Sequence, residues 1–128
     1  MCGCGNCTNP KPTEQQDICT SINASFEIPI YVYTDCARKT AADLSWVTGV
    51  VAVISTITSG VASLVVTMTC SLPVANYLRP HITLAQVQSL FTANKPYYYA
   101  IRLEGADDYS YPLQEGTIVF EQSAGDLP

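Results

Sequence analysis

At 128 residues the chain has the length of one domain, enough to bury a core without disulfide staples. Only 13% of its residues are charged and the formal net charge is −5. Lys11, Arg38, Lys39, Arg79, Lys95 and Arg102 are scattered, so no basic stripe can neutralise phosphates and nucleic-acid binding is not expected.

A surface this sparsely charged suits permanent contacts better than a freely diffusing enzyme. The N-terminus shows no basic region followed by an apolar core, so synthesis in a cytoplasm is expected. Residues 1–23 start with Cys2, Cys4 and Cys7 interleaved with Gly3 and Gly5 and continue through Pro10 and Pro12. They show neither a strand nor a helix period, and read as a cysteine-rich extended N-terminal arm preceding a β-sandwich domain over residues 24–128. Phe26, Ile28, Ile30 and Val32 then alternate with Glu27, Pro29, Tyr31 and Tyr33, the period of a half-buried strand, with Pro29 favouring a sheet edge. Thr34 to Asp43 is a polar connection.

From Leu44 to Leu78 no side chain is charged. Val47 to Val66 has about the 20 residues a membrane helix needs. Its chemistry argues otherwise, because Val and Ile dominate and Thr48, Ser55, Thr56, Thr58, Ser59 and Ser63 interrupt them, which is strand composition. Thr58-Ser59-Gly60 supplies a turn, so the spacing predicts strands over Val50–Ile57 and Val61–Thr69 and no membrane span. After a loop with Pro73, Leu78 to Ile82 forms a short strand or extended piece. Thr83 is an N-cap with Gln86 three residues on, and Leu84, Val87, Leu90 and Phe91 share one helical face, predicting one or two turns of helix. Tyr97, Tyr99 and Ile101 alternate with Tyr98, Ala100 and Arg102. A turn at Gly105-Ala106-Asp107-Asp108 leads to a last strand, Gly116 to Gln122. Together these elements describe an all-β, antiparallel β-sandwich with one short helix.

Four thiols, Cys2, Cys4, Cys7 and Cys19, carry the sharpest local chemistry. They have the donor set for a tetrahedral zinc or an iron–sulfur cluster, although only Cys4 and Cys7 form a Cys-x-x-Cys knuckle. Disulfides within the chain or between copies, and free thiols, are the other two readings of the same residues. Cys36 and Cys70, each at a strand end or loop start, read as small buried hydrophobes, a pair between them being the other reading. Catalysis finds little support: His81 is the only histidine, no local pattern marks a nucleophilic cysteine, and Asp107-Asp108 fit a hairpin turn better than a calcium site or an acid–base pair. The chain is therefore expected not to be an enzyme. Eight tyrosines remain to be placed. Trp46, Tyr98, Tyr109 and Tyr111 are the candidate interface or binding residues, the competing reading being that the tyrosines only form cross-strand pairs on the sheet.

The order of the pieces carries a resemblance. Asp43-Leu44-Ser45 with Val47 leads into a strand; Ile82-Thr83-Leu84-Ala85-Gln86 opens the helix. Tyr97, Tyr99, Ile101, Arg102 and Leu103 form the tyrosine strand, and Leu113, Gly116, Ile118 and Phe120 the last one. Over about residues 26–122 this order resembles the immunoglobulin-like β-sandwich at the N-terminus of upper-baseplate and fibre-anchoring proteins of tailed bacteriophages, and related small virion proteins. The resemblance implies an immunoglobulin-like sandwich and a structural component of the virion, in the tail, baseplate or fibre-attachment region or as a capsid decoration protein. It also implies contacts with other virion proteins, assembly as a homo-oligomer and localisation in the particle. The cysteine-rich arm departs from the family pattern. A carbohydrate- or receptor-binding module using Trp46, Tyr98 and Tyr109 is the first alternative, and a holin-like small membrane protein spanning Val47 to Val66 the second.

Overall fold

The computed structural model describes residues 14–15, 17–34, 37 and 39–122, apart from the side chains of residues 14, 15 and 58. The fold is all-β with one short helix. In chain order the elements are β1 (Glu14–Gln15), β2 (Ile18–Ser21), β3 (Phe26–Glu27), β4 (Ile30–Tyr31), β5 (Gly49–Thr58), β6 (Val61–Thr67), β7 (Tyr77–Leu78) and β8 (His81–Ile82). The helix α1 (Leu84–Leu90) and strands β9 (Pro96–Glu104) and β10 (Ser110–Glu121) complete the chain.

The main sheet is built on the long strands in the order β10, β9, β5, β6, all antiparallel neighbours. Alternation fixes which face is buried. On β9, Tyr97, Tyr99, Ile101 and Leu103 point into the core while Tyr98 and Arg102 are exposed, and β5 contributes Ala52 and Ile54 to the same inner face. The β5–β6 connection is a two-residue turn in which Ser59 has φ 54° and Gly60 φ 79°, the two positive angles that match the twist of the strands they join. The uncharged stretch is thus strand, turn and strand, as its composition predicts, and among the described residues no helix is long and apolar enough to cross a membrane.

A narrower ribbon covers the inner face. Residues 26–32 run antiparallel to residues 76–82: Phe26 pairs with Ile82 and Ile30 with Leu78. Ile28 N–H donates to Pro80 O at 3.0 Å and Val32 N–H to Asn76 O at 2.9 Å. Each run contains a proline at its middle, Pro29 and Pro80, and a proline cannot donate to the ladder. One ribbon therefore appears as two two-residue pairs, although the burial of Phe26, Ile28 and Ile30 alternates through the break as the sequence indicates. Reciprocal backbone bonds between Thr69 and His81, both 2.9 Å, join this ribbon to the chain leaving β6.

The aromatic centre of the core joins four separate segments. The ring of Phe120 on β10 stacks on Phe91 just after α1 at 4.2 Å, and meets Phe26 of β3 edge-on at 5.8 Å and Tyr97 of β9 at 6.4 Å. The helix itself starts as expected, with a capping box in which Gln86 N–H donates to Thr83 Oγ1 and the Gln86 side chain accepts from Thr83 N–H. Val87 is its buried residue. The hydroxyl of Tyr97 accepts the Thr92 N–H at 2.8 Å, which ties the chain after the helix to the start of β9. Gln114, the one polar side chain in the buried set among the described residues, donates to the Tyr99 hydroxyl at 2.9 Å beside a β-bulge at Pro112–Gln114.

Where the sequence shows no period before Ala24, the structure has two short strands. β1 and β2 both lie parallel to β10, with Ile18 beside Ile118 and Phe120 beside Thr20. The carboxylate of Asp17 accepts from Thr117 through both its hydroxyl (2.8 Å) and its N–H (3.2 Å), and these bonds hold its pKa below the ordinary carboxylate value. Runs of two and four residues are too short for a two-residue alternation to stand out, so only the pairing partner reveals them. Residues 1–13 of the arm, and with them Cys2, Cys4 and Cys7, lie outside the described residues, as does Cys36.

Because Phe120 is fully buried and holds four segments together, Phe120→Ala is expected to lower the unfolding free energy by about 3–5 kcal/mol, measured by chemical denaturation.

Candidate binding site

Two loops at one end of the main sheet bring the candidate aromatics together. The chain before β5 carries Trp46 and is anchored by Val47 N–H to Leu44 O (3.1 Å) and Thr48 N–H to Glu104 O (2.8 Å). The β9–β10 loop is closed by Gly105 N–H to Tyr109 O at 2.8 Å and Tyr109 N–H to Ala106 O at 3.1 Å, with Asp107 and Asp108 both at positive φ. Asp tolerates that conformation better than most residues, which is how the turn is made.

Across these loops the rings of Trp46 and Tyr109 meet edge to face at 5.1 Å and both stay exposed, Trp46 by 37% and Tyr109 by 54%. Gly105 makes the approach feasible, since a Cβ at that position would lie 2.8 Å from the Trp46 ring. Asp43 precedes the tryptophan on the same loop. Its side chain accepts the Ser45 N–H at 3.0 Å, and that bond lowers its pKa, so the carboxylate is charged at neutral pH. The two loops thus present an indole and a phenol with Asp43, Asp107 and Asp108 as acceptors close by in the chain. This is the chemistry of a surface that stacks on an apolar or sugar face and receives hydrogen-bond donors.

The other candidates lie elsewhere. Tyr98 is exposed on the outer face of the main sheet, between Ser55 on β5 and Thr117 on β10. Tyr111 is half-buried and packed against the core, where burial first and the neighbouring Tyr109 second raise its pKa. Cys19 is exposed on β2 with Val119 as its neighbour on β10. Cys70 is half-buried, its thiol pKa raised by burial, and donates to Ser71 O at 3.3 Å. Among the described residues neither cysteine is in a disulfide, and no group of three or more His, Cys, Asp and Glu side chains could hold a metal. A zinc or iron–sulfur centre would have to be built mainly from Cys2, Cys4 and Cys7, outside that set.

A second aromatic pair, an exposed tyrosine against a half-buried one, escapes any sequence pattern. Tyr31 on β4 and Tyr77 on β7 lie 4.6 Å apart, with the exposed Val74 bridged to Tyr77. Tyr31 stands at a solvent-facing position of an alternating strand, which marks exposure but not its partner.

Trp46 is the only tryptophan, so intrinsic fluorescence reads this site directly. Tyr109→Ala is expected to move the emission to longer wavelength by uncovering the indole. Gly105→Ala is expected to shift it as well, by driving the ring off its seat. No protein-family model and no curated protein matches the chain.

Proposed function

We propose that the chain is an immunoglobulin-like β-sandwich that acts by protein–protein contact, as a non-catalytic structural component of a tailed-bacteriophage particle. Four features of the fold support the sandwich type. An N-terminal strand runs parallel to the last strand, the sheet order is β10, β9, β5, β6, and a smaller antiparallel ribbon covers the inner face. The fourth is Tyr97 at the start of β9, whose hydroxyl is bonded to backbone five residues upstream, in the manner of a tyrosine corner.

The observation that carries the contact role is the exposed apolar surface. Trp46 with Tyr109, Tyr31 beside the half-buried Tyr77, and Ile57, Val61 and Leu64 on the β5–β6 hairpin leave large apolar side chains in solvent on a sparsely charged protein. The phage particle as the setting rests on the order of motifs over residues 26–122. Assembly in several copies with other virion proteins follows from the same likeness; residues 1–13 lie outside it, and their role as the segment that grips a neighbour is a separate part of the proposal.

The experiment is mass spectrometry of density-purified particles from cells producing the chain, alongside a variant lacking residues 1–13. The full chain is expected in the particle at structural copy number and the truncated one only in the unassembled fraction. A full chain absent from particles but abundant in the lysate would reject the virion role, and normal incorporation of the truncation would reject the gripping arm.

The Trp46–Tyr109 pair favours a second reading, a carbohydrate- or receptor-binding module. On a glycan array, Trp46→Ala and Tyr109→Ala would then abolish binding while Tyr98→Ala, on a different face, would retain it.

A further inference from the structure

The two edges of the main sheet differ. At one, the short strands β1 and β2 lie against β10. The other is β6, which among the described residues ends the strand order and pairs only with β5 along Val61–Thr67. Natural proteins guard such an edge with lysine, proline or an inward-pointing charge, since its unpaired backbone groups are a template for another strand. The sequence of β6, Val-Ala-Ser-Leu-Val-Val-Thr, contains none of these. Its first four residues are all exposed, with Val61 at 65% and Leu64 at 62%, and Ile57 beside Ala62 on β5 is exposed too. The ladder slips between Ile54 and Ser55, which leaves Val61–Leu64 as the regular piece of this edge.

We propose that β6 is the strand through which two copies of this chain join, antiparallel and edge to edge, into one continuous sheet. Charge selects the second copy as occupant. The chain carries a net −5, so two copies repel over most of their surface, but every charged residue lies outside Leu44–Leu78. Two copies meeting at the β5–β6 hairpin set no charge against a like charge, whereas meeting at the β2 edge would bring Asp17 and Glu121 of each copy together.

The register follows from the turn. A two-residue hairpin closes on a hydrogen-bonded pair, here Thr58 and Val61, so by antiparallel alternation Thr56–Ser63 is the next such pair, and Ala62 and Leu64 turn their N–H and C=O groups to the open side. A two-fold axis at Ser63 then sets Ala62 of one copy opposite Leu64 of the other, twice over. Each exchanges both backbone bonds, and the two exposed leucines cover the facing alanines. A self-complementary patch of this kind makes a closed dimer rather than an open chain.

This inference deepens the multi-copy contact role and rests on it. Sedimentation velocity of the full-length chain, with reductant present so that no cysteine cross-links, is the test. A concentration-dependent dimer is expected in the micromolar range, weakened about tenfold or more by Leu64→Lys, which places like charges across the axis, and by Ala62→Pro, which removes an outward donor but no β5 bond. Circular dichroism of both variants is expected to match the parent, and Leu64→Lys keeps the test valid should the proline perturb the strand. A parent monomeric at every concentration, or a dimer that Leu64→Lys leaves intact, overturns the proposal. A monomeric chain found in particles would reject the edge but keep the contact role, and a β6 dimer absent from particles would reject the virion setting alone.

Discussion

The ring of Phe120 holds this fold in register. It sits on the last long strand, yet its contacts come from β3 near the start of the described chain, from the residue closing the helix, and from Tyr97 at the start of β9. Aromatic pairs of this geometry contribute about 0.5–1.5 kcal/mol each beyond the apolar area they bury. Their larger effect is positional: with Phe26 and Phe91 fixed on one ring, the short ribbon and the helix have one place to sit over the main sheet. The proline-broken ribbon, poor in ladder hydrogen bonds of its own, depends on this side-chain anchoring.

Once the inner face is fixed, strict alternation along β9 and β5 decides what faces solvent. The outer face and the hairpin receive what the core does not take, and the sequence supplies few charges for them. Three clusters of exposed apolar groups result, the loop end with Trp46 and Tyr109, the ribbon with Tyr31 beside the half-buried Tyr77, and the unguarded strand β6, while Leu84 and Leu90 on α1 and Tyr98 on β9 are exposed as well. The loop site differs from the others in having acceptors within the same loops, which suits a partner rich in donors. The β6 edge offers backbone groups and apolar side chains without charge, which suits another strand. An acidic protein with one uncharged edge meets least charge repulsion from its own kind at that edge.

Much of the fold was legible in the residues. The uncharged stretch resolved into strand, turn and strand because Val, Ile and Thr prefer the pleated surface and because Ser59-Gly60 could take positive φ. Thr83 and Gln86 announced a helix start three residues apart, and the tyrosine strand and last strand declared themselves by period. The candidate site was legible only as a set of residue types. Trp46 and Tyr109 were both candidates, but nothing local links them; their meeting needs the loop before β5 to be bonded at Thr48 to Glu104, and Gly105 to leave room for the indole. Tyr98 and Tyr111 belong to the same composition signal and lie on different surfaces for the same reason.

For the longer elements from Phe26 onward the sequence by itself determined element type, face and turn position, because these follow from interactions between residues a few places apart: alternation, capping and backbone angles. Tertiary structure alone decided which strands became neighbours. The parallel alignment of Ile18–Ser21 with Ile118–Glu121, the joining of residues 26–32 to 76–82, and the exposure of β6 as an edge all depend on pairing between distant segments. Backbone pairing uses groups that every residue shares, so it leaves no mark in the local sequence; the choice among partners is made by the core that Phe120 and its neighbours can close.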